Sequence, residues 1–148
     1  MPQSEPPIGP VADATPGLRP GPIKLEGRYC RVEKLEPGIH ADALWQTLKG
    51  HDRVWTYMAF GPFADGKAFA SWLDERAVML DPYAYAVCDH ASGSALGIVA
   101  LLEIRPAMRA IEMGGIVYSP ALQRTRAATE AQYLMARYVF EDLGYRRY

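Results

Sequence analysis

The segment from Ile111 to Leu143, IEMGGIVYSPALQRTRAATEAQYLMARYVFEDL, constrains the fold of this chain more than any other stretch. Ile111 to Tyr118 is an apolar, β-prone run carrying the adjacent glycines Gly114 and Gly115. Ser119 to Arg126 is a short polar turn. It opens into an amphipathic helix from about Ala127 to Leu143, with Ala131, Leu134, Met135, Tyr138 and Val139 on one face and Gly144 as its cap. A strand that turns directly into a helix leaves unpaired N–H groups at the positive end of the helix dipole, and such an end suits a phosphate. Glycines inside the strand predict a bulge or a close approach by a ligand.

The preceding chain supplies a sheet for this unit. Tyr83–Asp89, Ala95–Arg105 and Ile111–Tyr118 read as three strands joined by the turns His90–Ser94 and Pro106–Arg109, an antiparallel meander. Ala95–Arg105 is long and apolar enough to be central. Upstream, the spacing of Ala41, Leu44, Trp45 and Leu48 predicts a helix over His40–Leu48, ended by Gly50. Phe69, Trp72, Leu73, Ala77 and Leu80 predict a second over Asp65–Leu80, with Asp65 as N-cap. Arg28–Leu35 alternates imperfectly and reads as an edge strand, and Pro37-Gly38 is expected to break the chain after it. Tyr145–Tyr148 resembles the first residues of another strand. The order β, α, α, β, β, β, α, β is α+β, with helices packing on a mixed, mostly antiparallel sheet.

Seven of the twelve prolines fall within Met1–Pro22, so residues 1–24 are expected to be a disordered tail and 25–148 the folded domain. A net charge of −1 gives no basic field for nucleic acid. No apolar run reaches the roughly 18 residues of a bilayer span, so no membrane partner is expected. The N-terminus has no apolar core of signal-peptide type. Cys30 and Cys88, isolated in predicted strands, read as buried free thiols, and a cytoplasmic setting fits them.

Three stretches carry candidate chemistry. Gln123, Arg124, Thr125, Arg126, Ala127, Ala128 and Thr129 form the helix start: the alanines let an anion approach the backbone and the arginines add charge-assisted contacts, although the same residues also suit a plain solvated helix start. Glu112 lies in an otherwise apolar strand beside Gly114-Gly115. It reads equally as a general base for an amine and as a carboxylate on the polar face of an edge strand. His51–Phe63 is aromatic-rich, and its Trp55, Tyr57 and Met58 either line a substrate pocket or fill the core. His40, His51 and His90 have no metal-ligand spacing with each other or with cysteine, so no metal is expected.

Taken together, these residues resemble the GNAT superfamily of acyl-CoA-dependent N-acyltransferases, and within it the branch that includes ribosomal-protein N-terminal acetyltransferases. The resemblance rests on Val54–Met58 with Gly61–Phe63, on Ile111–Gly114, on Tyr118–Pro120, on Gln123–Ala131 and on Phe140–Arg147, in that order. The family's pyrophosphate loop starts with Gln or Arg, has Gly at its fourth place and ends on Gly or Ala. Gln123 and Ala128 match the ends, while Arg126 stands where glycine is usual. The resemblance implies acetyl-CoA as cosubstrate, gripped by this loop and by the backbone of Ile116 and Val117, and an N-acetyltransferase acting on a primary amine of a protein N-terminus or small molecule. Glu112 would be the base, with direct attack in a ternary complex. It also implies a domain incomplete at its C-terminus, because the family's last strands and the helix carrying its usual tyrosine acid would lie beyond Tyr148. A non-catalytic acyl-CoA-binding or partner-binding module is the alternative, and an open sheet edge would permit a homodimer.

Overall fold

The computed structural model describes residues 8–148; the first seven residues of the expected tail lie outside it. β1 (Lys24–Glu26), β2 (Cys30–Lys34), β3 (Tyr83–Asp89), β4 (Ala95–Arg105) and β5 (Ala110–Tyr118) form one sheet in that order, every neighbouring pair antiparallel. The meander of β3, β4 and β5 stands where the sequence places it. β2 is not an edge strand: Leu25 of β1 pairs with Val32 and makes β1 the border. Three residues are too few to show a periodic pattern, which is why β1 is invisible in the sequence.

α1 spans Pro37–Leu48 and α2 spans Gly66–Val78. Pro37 begins α1 rather than breaking the chain, since the first helical position needs no N–H and Pro has its φ already set. Asp65 caps α2 by accepting from the Ala68 N–H at 2.8 Å. The helix stops at Val78, two residues short of expectation, and Leu80 faces solvent. α3 spans Arg126–Arg137. The predicted single helix then widens into a π-turn over Tyr138–Asp142, and Gly144 follows with φ +73°.

The period of two along β3 divides the core. Tyr83, Tyr85 and Val87 pack toward α3 with Leu134, Met135 and Val139. Ala84, Ala86 and Cys88 face α1 and α2, and their small size makes room for Trp55, Phe69 and Leu73. Helices therefore cover both faces, the α+β arrangement expected. Residues 145–148 add its parallel element, through a bridge between Ala110 and Arg147 and an Ile111 N–H to Arg147 carbonyl bond of 3.0 Å.

The proline-rich stretch forms no helix or strand over Ile8–Pro22, yet it lies on the domain. Gly17 N–H bonds the Pro106 carbonyl at 3.0 Å and Leu18 N–H the Leu143 carbonyl at 2.9 Å. Tyr138 Oη accepts from Gly21 N–H, and Tyr85 donates its hydroxyl proton to the Gly21 carbonyl, each at 3.1 Å. Prolines deny this segment a ladder of its own, so its remaining donors and acceptors pair with the domain instead. No helix among the described residues is long and apolar enough to cross a membrane.

Candidate active site

β5 and the start of α3 form the backbone of the site. In β5 the register jumps: Ile98 pairs with Val117 but Ala100 with Gly114, leaving one extra residue on β5. Gly115 occupies that bulge with φ +56°, a conformation glycine adopts without Cβ strain. Beyond Ile111, no strand among the described residues pairs with the outer edge of β5. Ile116 is partly exposed on that edge and Val117 is buried in the α1/α2 core. At the end of β5, Ser119 is fully buried and its hydroxyl has no partner among the described residues.

Ile111 and Met113 pack on the α3 side, so alternation sends Glu112 and Gly114 to the α1/α2 side. A Cβ on Gly114 would lie 3.4 Å from Glu112 Oε1 and 2.8 Å from Leu102 Cδ2. The missing side chain is what lets the exposed Glu112 carboxylate fold along the strand toward the bulge. Glu112 also borders an open cavity of about 480 Å³, shared with Glu103, Arg105 and Arg147.

The loop at the far end of β5 is built differently from the family pattern. Thr125 caps α3: its hydroxyl accepts from Ala128 N–H at 3.1 Å and donates to the Leu122 carbonyl at 2.7 Å. Gln123 donates from Nε2 to the Tyr118 carbonyl at 2.9 Å and ties the loop to β5. Arg126 is the first helical residue, with its guanidinium 5.6 Å from the centre of the Tyr29 ring. It needs no glycine-like backbone; the left-handed residue is Arg124, at φ +61°. Ala127 and Ala128 are buried against the sheet, so their small side chains serve packing, while Thr129 is exposed. Backbone N–H groups of Arg126 and Ala127 have no acceptor among the described residues. Cavities of about 540 and 530 Å³ flank this helix start, and Tyr29, Thr125 and Arg126 line both.

Glu130 fixes the loop to the sheet. Its carboxylate accepts from the backbone N–H groups of Arg28, Tyr29 and Cys30 at 2.7, 2.6 and 2.9 Å. Burial pushes its pKa up, but these N–H groups outweigh burial and hold it below the ordinary value. Three consecutive N–H groups on one side chain 100 residues away leave no periodic signal in the sequence.

The aromatic segment divides. Trp55 is buried, its ring meeting Phe63 at 5.2 Å and Trp72 at 5.7 Å between centroids. Met58 packs against the same cluster, whereas Tyr57 is 98% exposed. The cavity on this side lies beyond them, between α2 and the bulge, with Phe60 and Trp72 in its wall. Trp72 lies on α2 and shows in the sequence only as one member of a helical stripe.

Sequence spacing separates His40 from Cys88, but folding brings them together with Glu33, their ligand atoms within 4.8 Å. Their bonds are already committed. His40 Nδ1 accepts from Glu36 N–H, which fixes the tautomer and leaves Nε2–H to donate to Glu33 at 3.0 Å. Glu33 also pairs with Arg31 at 2.8 Å and Lys24 at 3.4 Å. Burial raises its pKa, but Arg31, His40 and Lys24 more than reverse that and bring it down to about 2. Burial, with Glu33 nearby, lifts the Cys88 thiol to about 11. Two cations on the carboxylate, with the His40 bond, tie these three groups into a buried ion-pair and hydrogen-bond cluster.

The chain matches the acetyltransferase (GNAT) domain family over residues 31–148. A comparison with curated proteins gives no match. Among solved structures, a GCN5-related N-acetyltransferase from Brucella melitensis is 40% identical with a TM-score of 0.86; the match covers 89% of this chain and 61% of that one. A GNAT-family acetyltransferase structure from Chromobacterium violaceum ATCC 12472 is 34% identical, TM-score 0.82, over 96% of this chain and 73% of that one. A Vibrio cholerae structure named for ribosomal-protein-serine acetylation is 15% identical, TM-score 0.66, over 82% and 68%, a likeness of fold alone. The chain thus spans about three-fifths of the Brucella protein's length.

Proposed function

The chain belongs to the GNAT acetyltransferase family, and from that premise we propose that it transfers an acetyl group from acetyl-CoA to a primary amine by direct attack in a ternary complex. The observation that carries this reading is the continuity of β5: Glu112 and the Gly115 bulge at one end, the free N–H groups of Arg126 and Ala127 just past the other. From Gly115 to Ser119, just past the strand, the extended chain runs about 13 Å, so a long cosubstrate lying along it can hold its thioester at the bulge and its diphosphate at the helix start.

These residues fit acetyl-CoA on structural grounds. The outer edge of β5 is unpaired beyond Ile111 among the described residues, so the backbone of Ile116 is available to the pantetheine arm, while that of Val117 turns inward to Ile98 of β4. The N–H groups of Arg126 and Ala127 point their dipole at an anion, with Arg124 and Arg126 beside them and Gln123, Thr125, Ala128 and Thr129 shaping the loop. The cosubstrate supplies an activated acetyl group. Glu112 accepts a proton from the amine, directly or through water, as nitrogen attacks the carbonyl carbon. A backbone N–H near Ile116 stabilises charge on the carbonyl oxygen. The sulfur leaves with the electron pair of its bond to carbon and is protonated to the free thiol. No covalent bond to the protein forms. Met58 and Trp55 back the acceptor wall, and Tyr57, at the surface, is free to meet the outer part of an acceptor.

The acceptor is a protein N-terminus or a small-molecule amine, the first supported by resemblance to the ribosomal-protein branch. A cytoplasmic setting is supported by two buried free thiols, and a homodimer by the unpaired β5 edge. The test is release of free thiol from acetyl-CoA with a panel of small amines and peptides. Amine-dependent release supports the enzyme. Calorimetric binding of acetyl-CoA without release from any amine would instead leave a non-catalytic acyl-CoA-binding module.

A further inference from the structure

Between α2 and the sheet lies a cavity of about 150 Å³, walled by Phe60, Trp72, Ala100 and Leu102 and reaching Gly115 of the bulge. Its one charged lining residue is Arg76. The guanidinium of Arg76 stands 4.4 Å from the Phe60 ring centre and 5.6 Å from that of Trp72, and it makes no ion pair among the described residues. Its side-chain bond is a 4.0 Å contact to Met79 Sδ. Trp72 lines the cavity with its indole ring, while its buried Nε1–H is closed to solvent and has no acceptor among the described residues. The cavity therefore combines apolar walls with one half-buried guanidinium and, among the described residues, no anion, and an unpaired guanidinium suits a carboxylate. It sits on the same sheet face as the Glu112 carboxylate, beside Leu102, which the Gly114 position also abuts.

We propose that this cavity is the acceptor site and that the acceptor is a compact apolar amino acid: its side chain lies among Phe60, Trp72 and Leu102, its carboxylate meets Arg76, and its amine reaches the bulge below Glu112. This rests on the acetyl-transfer reading. A free carboxylate answers the unpaired guanidinium, whereas the neutral carbonyl of a peptide bond would leave that charge unmatched. Among the described residues, an added Cβ at Gly115 would touch only Ala100 Cβ, at 3.5 Å, so the floor beneath the amine is open.

The test has a catalytic arm and a binding arm. Thiol release from acetyl-CoA is measured with L-leucine and L-phenylalanine, with their amides, and with peptides starting in the same residues. The acids are expected to exceed the amides at least about ten-fold in kcat/KM, and Arg76→Met to erase that preference. Equal or better use of amides or peptides overturns the proposal in favour of a peptide N-terminus. Independently of turnover, the indole N–H resonance of Trp72, assigned with Trp72→Phe, is followed during titration with L-leucine and with N-acetyl-L-leucine. A saturable shift that Arg76→Met weakens at least about ten-fold supports the site even if no thiol is released, in which case the acetyl-transfer reading alone fails. No shift with either compound overturns the acceptor assignment whatever the activity.

Discussion

Replacing Glu130 by alanine removes the acceptor of three backbone N–H bonds between α3 and the β1–β2 turn. A hydrogen bond to a charged group contributes about 1.5–3 kcal/mol, but water regains part of that at a half-exposed position, leaving about 2–4 kcal/mol for the three together. Glutamine keeps one acceptor oxygen and is expected to lose about half as much. Because the folded-state pKa of Glu130 is depressed, its contribution is present above the unfolded value and is lost as pH falls through the folded one. Urea unfolding at pH 7 should therefore place wild type above Glu130→Gln, and Glu130→Gln above Glu130→Ala. The gap between wild type and Glu130→Gln should narrow below about pH 4.5. The same variants should weaken acetyl-CoA binding, since Glu130 anchors the turn that carries Tyr29 beneath Arg126. A Glu130→Ala loss under about 0.5 kcal/mol, or a gap that widens in acid, would refute the reasoning.

Glu33, lowered to about 2 by Arg31, His40 and Lys24 against its burial, stabilises the fold above its unfolded pKa and ceases to do so between about pH 4.5 and 2; Glu33→Gln should be less stable at pH 7 yet show a flatter acid-unfolding limb in circular dichroism. Burial raises Cys30 to about 12 and Cys88 to about 11, so neither should react with a thiol reagent at pH 8 until the protein unfolds, when both should. Gly115→Ala meets no close atom and should cost only the left-handed conformation, about 1–2 kcal/mol in a urea melt. Gly97→Ala drives a Cβ to 2.6 Å from Leu122 Cδ2 and 3.0 Å from the Val117 carbonyl, and should cost about 3 kcal/mol or more.

Much of the fold is legible because burial imposes periods on the sequence. The meander, α2 with its Asp65 cap and the strand-to-helix passage at Ser119 all follow from alternation, helical spacing and turn residues. What escapes is what depends on distant partners. β1 is three residues long, and only its pairing to Val32 defines it. The Asp13–Gly21 stretch looks like a tail because prolines hide that its donors are met by Pro106, Leu143 and Tyr138. Within the site, Gly114-Gly115 correctly signals a bulge, and Glu112 stands beside it. The glycine expected at Arg126 is not needed, because the left-handed turn falls at Arg124, a backbone detail no residue pattern reports. Arg76 and Trp72 read as an ordinary helix face; only the approach of α2 to the bulge gives them a cavity.

The account turns on proton removal by Glu112 beside the β5 bulge. Its most direct test is the rate of acetyl transfer by Glu112→Gln at pH 7, measured beside the calorimetric affinity for acetyl-CoA. The account predicts a fall of about 100-fold or more in kcat with acetyl-CoA affinity unchanged within about two-fold. An unchanged kcat, or a loss of rate explained entirely by weaker acetyl-CoA binding, would contradict it.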